Sequence, residues 1–196
     1  MSKPLDPAAL DQLFRTARTY NGYLDRPVSQ EQMDAIWELM KFGPTSANAL
    51  PARLVWCTSA EAKDKLAALA MPANGHKIRK APVTVIIGMD LEFYEQLPEL
   101  FPHTDAKSWF VGNDQLIQTT AFRNGTLQGA YLMMAARSLG LDCGPMSGFN
   151  NAGVDQEFFA NSTVKSNFIC GLGYGDPSGV FARSPRLPFD EACQIV

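Results

Sequence analysis

Four short stretches of this chain combine residue types that could hold a small anionic ligand. Ala17-Arg18-Thr19-Tyr20-Asn21 follows a helix end, and Gly43-Pro44-Thr45-Ser46-Ala47-Asn48 closes a second helix with small hydroxyl and amide residues. Gly144-Pro145-Met146-Ser147-Gly148-Phe149 follows a long apolar helix, and Arg183-Ser184-Pro185-Arg186 lies near the C-terminus. Guanidinium and hydroxyl groups of this kind hold phosphate, because a planar fork of N–H donors matches two phosphate oxygens at once. Gly148 beside Ser147 lets backbone N–H groups approach a flat ligand closely. Together these parts suit an aromatic cofactor bearing one phosphate.

Other chemistries find little support. His76 and His103 are the only histidines and have no Cys or His at ligand spacing, so no metal site is expected, and both are read as surface loop residues. No local signature supports Cys/His or Ser/His catalysis. Gly171-Leu172-Gly173-Tyr174-Gly175 departs from the dinucleotide fingerprint: Asp176 stands where its third glycine belongs, and Asp176-Pro177 ends structure where a phosphate-binding helix should start. Cysteines 57, 143, 170 and 193 are widely spaced and read as free, mostly buried thiols. Seventeen basic against twenty acidic residues, net −3, with no Lys/Arg block, gives no reason to expect nucleic acid. The N-terminus lacks the apolar core of a signal peptide, and the most apolar run, 82–89, is too short to span a bilayer. A cytoplasmic protein is expected.

The surrounding elements follow from period and punctuation. Asp6 and Pro7 start a helix with Leu10, Leu13, Phe14 and Ala17 on one face. Ser29 and Gln32 form a capping box for a second helix, with Met33, Ile36, Trp37 and Met40 at helical spacing and Gly43-Pro44 as its stop. Strands are expected at 54–57, 83–89 and 167–173, the second apolar on both faces as in a sheet interior. A third helix should begin at Thr58 and run to about Ala70, and a short one should span 155–159. Residues 91–111 should form short helical pieces and loops around Pro98 and Pro102. The longest helix, 113–139, is apolar nearly all round, which predicts burial on several sides or a subunit interface. Gly140 caps it, and 141–145 reads as a turn. The 196 residues suffice for one domain, with an extended tail from about 175.

The four stretches also carry a resemblance. Over nearly its whole length the chain resembles the FMN-dependent nitroreductase family, whose members have a basic loop after the first helix and a Pro-Ser-Ser/Thr-x-Asn-x-Gln-Pro loop after the second. They also have a Pro-x-x-Gly-Phe turn and a basic pair in the tail; here these are Arg18-Thr19-Tyr20-Asn21, Pro44 to Pro51, Pro145 to Phe149, and Arg183 to Arg186. Pro51-Ala52-Arg53, Glu92 to Pro98, Asp105 to Phe110 and Thr120 to Asn124 look closest to the malonic semialdehyde reductase branch, of the pyrimidine-utilisation (Rut) pathway. Asn21, Leu50 and Ser184 stand where many relatives have a base, Gln and Lys, so the phosphate site carries less positive charge than usual.

The resemblance implies an α+β nitroreductase-like fold, a central mixed sheet surrounded by helices, in an intertwined homodimer with FMN at the interface. It implies FMN contacts from Arg18, Thr19, Asn21, Pro44, Thr45, Ser46, Asn48, Pro145, Ser147, Gly148, Arg183 and Arg186. NADH or NADPH would be the co-substrate in ping-pong hydride transfer to malonic semialdehyde, giving 3-hydroxypropionate. The hydride is carried by FMN, so no catalytic side chain is named. Arg53, Lys107 and Arg123 are candidates for the substrate carboxylate, and Trp109 and Phe110 for covering the pocket. A broad nitro- or quinone-reductase and a non-catalytic flavin-binding protein are the competing readings.

Overall fold

The computed structural model describes residues 3–196. Four strands, β1 (Ala52–Cys57), β2 (Val83–Asp90), β3 (Asp142–Met146) and β4 (Val164–Gly173), form one sheet in the order β1-β2-β4-β3. Every strand pairing is antiparallel, where a mixed sheet was expected; the parallel pairing is confined to an isolated bridge between Thr19 and Cys143. Helices α1 (Pro7–Leu10), α2 (Gln30–Met40), α3 (Ala60–Ala68), α4 (Pro72–Lys80), α5 (Leu97–Leu100), α6 (Asp114–Ser138), α7 (Asn151–Phe158) and α8 (Phe189–Ala192) complete the chain.

Strand alternation explains why the sheet is covered on both sides. Val83, Val85 and Ile87 of β2 face α2 and α6, packing with Met33, Ile36, Met40, Leu132 and Ala136. Ile86 points the other way, to Leu66 of α3, Ile78 of α4 and Val154 of α7. A third cluster, Phe93, Leu97, Phe110, Ile117 and Ala121, seals residues 91–111 onto the first half of α6.

The capping signals act as expected. Ser29 accepts from the Gln32 amide and Gln32 reciprocates at the Ser29 amide, at 3.3 and 3.1 Å. Asp6 accepts from the Ala9 amide at 2.7 Å, and α1 then widens into a π-turn over Asp11–Arg15 that delivers the chain to Arg18. Helix α6 inverts the simple amphipathic picture. Its buried stripe mixes small and amide residues, among them Thr120, Asn124, Gly125, Gln128, Gly129 and Ala136, with the larger Ile117 and Leu132, while Leu116, Phe122, Leu127 and Tyr131 stay exposed.

Two elements were not expected. Helix α4 starts on Pro72, but Asn74 and Gly75 weaken its helical signature, and it places His76 on an exposed helix face instead of a loop. His103 lies in an exposed turn. Strand β3 occupies what reads as the turn 141–145. It tolerates Pro145 because it is an edge strand, where an N–H can be missing without breaking a central ladder. Cys57, Cys143 and Cys170 are buried and free, with burial pushing the Cys57 thiol up to about 11, and Cys193 is exposed on the tail.

Gly144 couples this sheet edge to the loop that bears Arg18. The Tyr20 amide donates to the Cys143 carbonyl at 3.1 Å, and a Cβ on Gly144 would lie 2.4 Å from the Tyr20 carbonyl oxygen. The obstacle is backbone, so it cannot rotate away. Gly144→Ala should therefore destabilise the protein by about 1–3 kcal/mol, read as a lower urea midpoint at unchanged m-value.

Candidate functional site

Loop 17–21 and tail 180–186 enclose a hollow of roughly 450 Å3. The tail is laced onto the loop through backbone carbonyls: Arg183 donates to the Arg15 and Ala17 carbonyls at 3.0 and 2.9 Å, and Arg18 donates to that of Phe181. Arg186 donates only to its neighbours' carbonyls, Ser184 and Pro185, at 2.9 and 3.1 Å. Thr19, Asn21 and Ser184 add polar groups to the walls, and among the described residues no Asp or Glu lines the hollow. Expected residues Arg18, Thr19, Asn21, Arg183 and Arg186 are thus brought together. A fourth guanidinium, that of Arg137, joins them from the last turn of α6. Sequence reasoning missed it because which way a helix-end arginine points is decided by how α6 docks on the π-turn at Asp11–Arg15. Between Thr19 and Asn21, burial raises the Tyr20 phenol's pKa; the Asp142 charge adds to this and the Arg18 charge opposes it.

The expected residues Pro145, Ser147 and Gly148 lie at the end of β3, beside α4. The Gly148 carbonyl accepts from the Met71 amide at 3.0 Å and from Asn74 Nδ2 at 3.1 Å. A Cβ on Gly148 would stand 2.8 Å from that Asn74 nitrogen and 2.9 Å from Met71 Sδ, so a larger residue here would displace those two side-chain ends. Ser147 remains exposed. Asn74 is the residue this corner adds to the expected set, and it was hidden with the rest of α4.

Residues Pro44, Thr45, Ser46 and Asn48 sit apart, and none of them lines the hollow. Their loop is strained: Ala47, Asn48 and Leu50 have φ of 50°, 53° and 41°. A left-handed conformation costs an L-residue roughly 1–2 kcal/mol. Buried amides on α6 hold the loop against that strain. Asn124 Oδ1 accepts from the Ser46 amide and Gln128 Oε1 from the Ala52 amide, both at 2.8 Å. Thr45 Oγ1 accepts from the Leu50 amide at 3.3 Å, and Asn48 Nδ2 donates to the Leu100 carbonyl at 2.8 Å. Asn124 and Gln128 are one helical turn apart, a spacing legible in sequence only once the buried face of α6 is known.

The candidate substrate residues separate by partner. Arg53 is held by Asp90 at 2.7 Å and by the Leu50 and Ala52 carbonyls, and Lys107 by Glu95 at 2.5 Å, a hydrogen bond that also raises the lysine's pKa. Phe110 is 4% exposed, with its ring 4.9 Å from that of Phe93, so it is core and not a pocket cover. Trp109 is half exposed. Arg123 is exposed on α6 beside Phe122 and forms no ion pair among the described residues. Those residues also hold no cluster of metal-ligating side chains and no helix long and apolar enough to cross a membrane.

The family model described as "Nitroreductase family" matches residues 14–174, from the loop that leads into the hollow to the end of β4. The chain belongs to the nitroreductase family. A relative from Stenotrophomonas maltophilia (strain R551-3), provisionally named NADH dehydrogenase/NAD(P)H nitroreductase, is 60% identical over 195 residues, spanning 100% of both chains. HadB of Ralstonia pickettii bears the same provisional name and is 60% identical over 190 residues, 95% of this chain and 97% of that one. Solved nitroreductase folds agree in architecture. A provisionally named nitroreductase from Exiguobacterium sibiricum 255-15, solved in complex with FMN, has a TM-score of 0.85 at 20% identity over 100% of this chain and 99% of its own. The nitroreductase family protein from Streptococcus pneumoniae TIGR4 has 0.83 at 20% identity over 94% and 98%.

In this nitroreductase the 44–50 loop depends on Asn124, and Asn124→Ala would leave the Ser46 amide without its acceptor. The expected cost is about 1–3 kcal/mol. Amide exchange at Ser46 should quicken by at least an order of magnitude, while exchange in β2 follows only the global loss of stability.

Proposed function

We propose that this nitroreductase-family protein is an FMN-dependent NAD(P)H oxidoreductase whose substrate is malonic semialdehyde. The observation that carries the flavin assignment is the hollow with four guanidinium groups and no carboxylate, which matches a phosphate dianion in charge and in donor geometry. When bound, FMN supplies the hydride chemistry, between NAD(P)H and an aldehyde carbon that becomes the alcohol of 3-hydroxypropionate.

The chain's own residues bind and orient. Arg18, Thr19, Asn21, Arg183 and Arg186 hold the phosphate and ribityl end, and Pro145, Ser147 and Gly148 offer a flat backbone edge to the ring system. Neither that edge nor the loop bearing Pro44, Thr45, Ser46 and Asn48 borders the hollow within one chain; the loop lines the ring from a second copy of the chain. A homodimer also gives the exposed Leu116, Phe122, Leu127 and Tyr131 of α6 an apolar partner. Arg123, exposed and without a carboxylate partner, takes the substrate carboxylate in preference to Arg53 and Lys107, whose charges are already matched. Such a unit works as a single domain per chain in the cytoplasm.

A second reading, a broad nitro- or quinone-reductase, is favoured by the provisional nitroreductase names of the relatives at 60% identity. Purified protein should show flavin absorbance that NADH or NADPH bleaches without oxygen and that malonic semialdehyde then restores. Restoration by a nitroaromatic but not by the aldehyde would select the second reading. A flavin that neither nicotinamide bleaches would leave a non-catalytic flavin-binding protein. Arg123→Ala should raise KM for malonic semialdehyde about tenfold and leave KM for an uncharged aldehyde unchanged.

A further inference from the structure

The hollow contains one cation whose setting differs from the rest. Arg18, Arg183 and Arg186 belong to a loop and a tail. Arg137 projects from the last turn of the 25-residue α6, and its backbone and side chain are both fixed from behind. Gln12 Nε2 donates to the Arg137 carbonyl at 2.7 Å, and Arg137 Nη1 donates to the Leu13 carbonyl at 3.1 Å. Its Nε is buried and has no hydrogen-bond partner. Two carboxylates border a neighbouring hollow with Arg137 without pairing to it: Asp11 pairs with Arg15 at 2.6 Å, and Asp142 accepts from the Gly175 amide at 2.9 Å. Among the described residues Arg137 forms no ion pair.

Arg137 borders the hollow, its Nη2 makes no hydrogen bond among the described residues, and its charge lacks an ion-pair partner, an arrangement that an anion in the hollow would complete. We propose that Arg137 is the rigid, fixed member of the phosphate clamp, donating to a phosphate monoester in the hollow and restoring the charge that Asn21 does not supply. The inference rests on the flavin reading above and adds a residue to it. The side chain is already anchored through Nη1, so little rotamer freedom remains to be lost when the anion arrives. A brace that merely tied α6 to the π-turn would need the Leu13 contact alone, and would not need to border the hollow.

The test compares FMN with riboflavin, which has the same ring and ribityl chain but no phosphate, by flavin fluorescence titration of the apoprotein. Arg137→Met should weaken FMN binding about tenfold or more and leave riboflavin binding unchanged. FMN should likewise raise the variant's melting temperature less than the wild type's. Equal loss for both flavins would make Arg137 a brace, and no loss for either would remove it from the clamp. Either result overturns the inference. If Arg137→Met does not fold, Arg137→Lys keeps the charge and a donor for the Leu13 carbonyl. It should still lose about threefold for FMN alone, because one ammonium cannot serve the carbonyl and the phosphate as a fork does. Wild-type protein that binds FMN no tighter than riboflavin would refute the phosphate reading itself, a result distinct from any change confined to Arg137.

Discussion

Like charges converging on one hollow repel. A pair of unit charges at 4 Å costs roughly 1 kcal/mol in water and about 4 kcal/mol where solvent is partly excluded. Folding here gathers four guanidinium groups around a space with no carboxylate in its walls, and backbone carbonyls temper that repulsion without cancelling it. Much of the architecture serves to keep this arrangement. The π-turn after α1 aims Arg18, and Gly144 lets loop 17–21 press against β3. The end of α6 supplies Arg137, and the tail folds back to add Arg183 and Arg186. An anion bound there turns a destabilising charge cluster into a stabilising one.

The same economy explains α6. A helix with several large apolar residues turned outward and mostly small or amide residues turned inward looks wrong for a core helix taken alone. Gly129 admits the Phe168 ring, since a Cβ there would meet it at 2.4 Å, while Asn124 grips the strained 44–50 loop at Ser46 and Gln128 holds the start of β1 just after it. The outward Leu116, Phe122, Leu127 and Tyr131 then await a second surface. One helix packs the sheet, positions a loop and contributes the fixed cation.

Much of this was legible in the sequence. Capping chemistry marked α1 and α2, β-branched runs marked β2, and unusual apolarity marked α6 as something other than an ordinary surface helix. The polar stretches identified Arg18, Arg183 and Arg186, and the fold does bring them together. What stayed hidden depended on tertiary choice. Residues 142–146 form a strand only because β4 offers an edge, which outweighs the turn signals of Gly144 and Pro145. Helix α4 forms in spite of Asn74 and Gly75 because Ile78 is driven into the core. Arg53, Lys107 and Arg123 look equivalent in sequence; only the placement of Asp90 and Glu95 shows which charges are already matched.

The central claim is that the guanidinium hollow receives the phosphate of a flavin whose ring is completed by a second copy of the chain. A crystal structure of the protein with FMN tests this most directly. The account predicts phosphate oxygens within hydrogen-bond distance of Arg18, Arg137 and Arg186, the ring against Ser147 and Gly148, and loop 44–48 of another copy over it. A phosphate outside the hollow, or a flavin wholly enclosed by one chain, would contradict it.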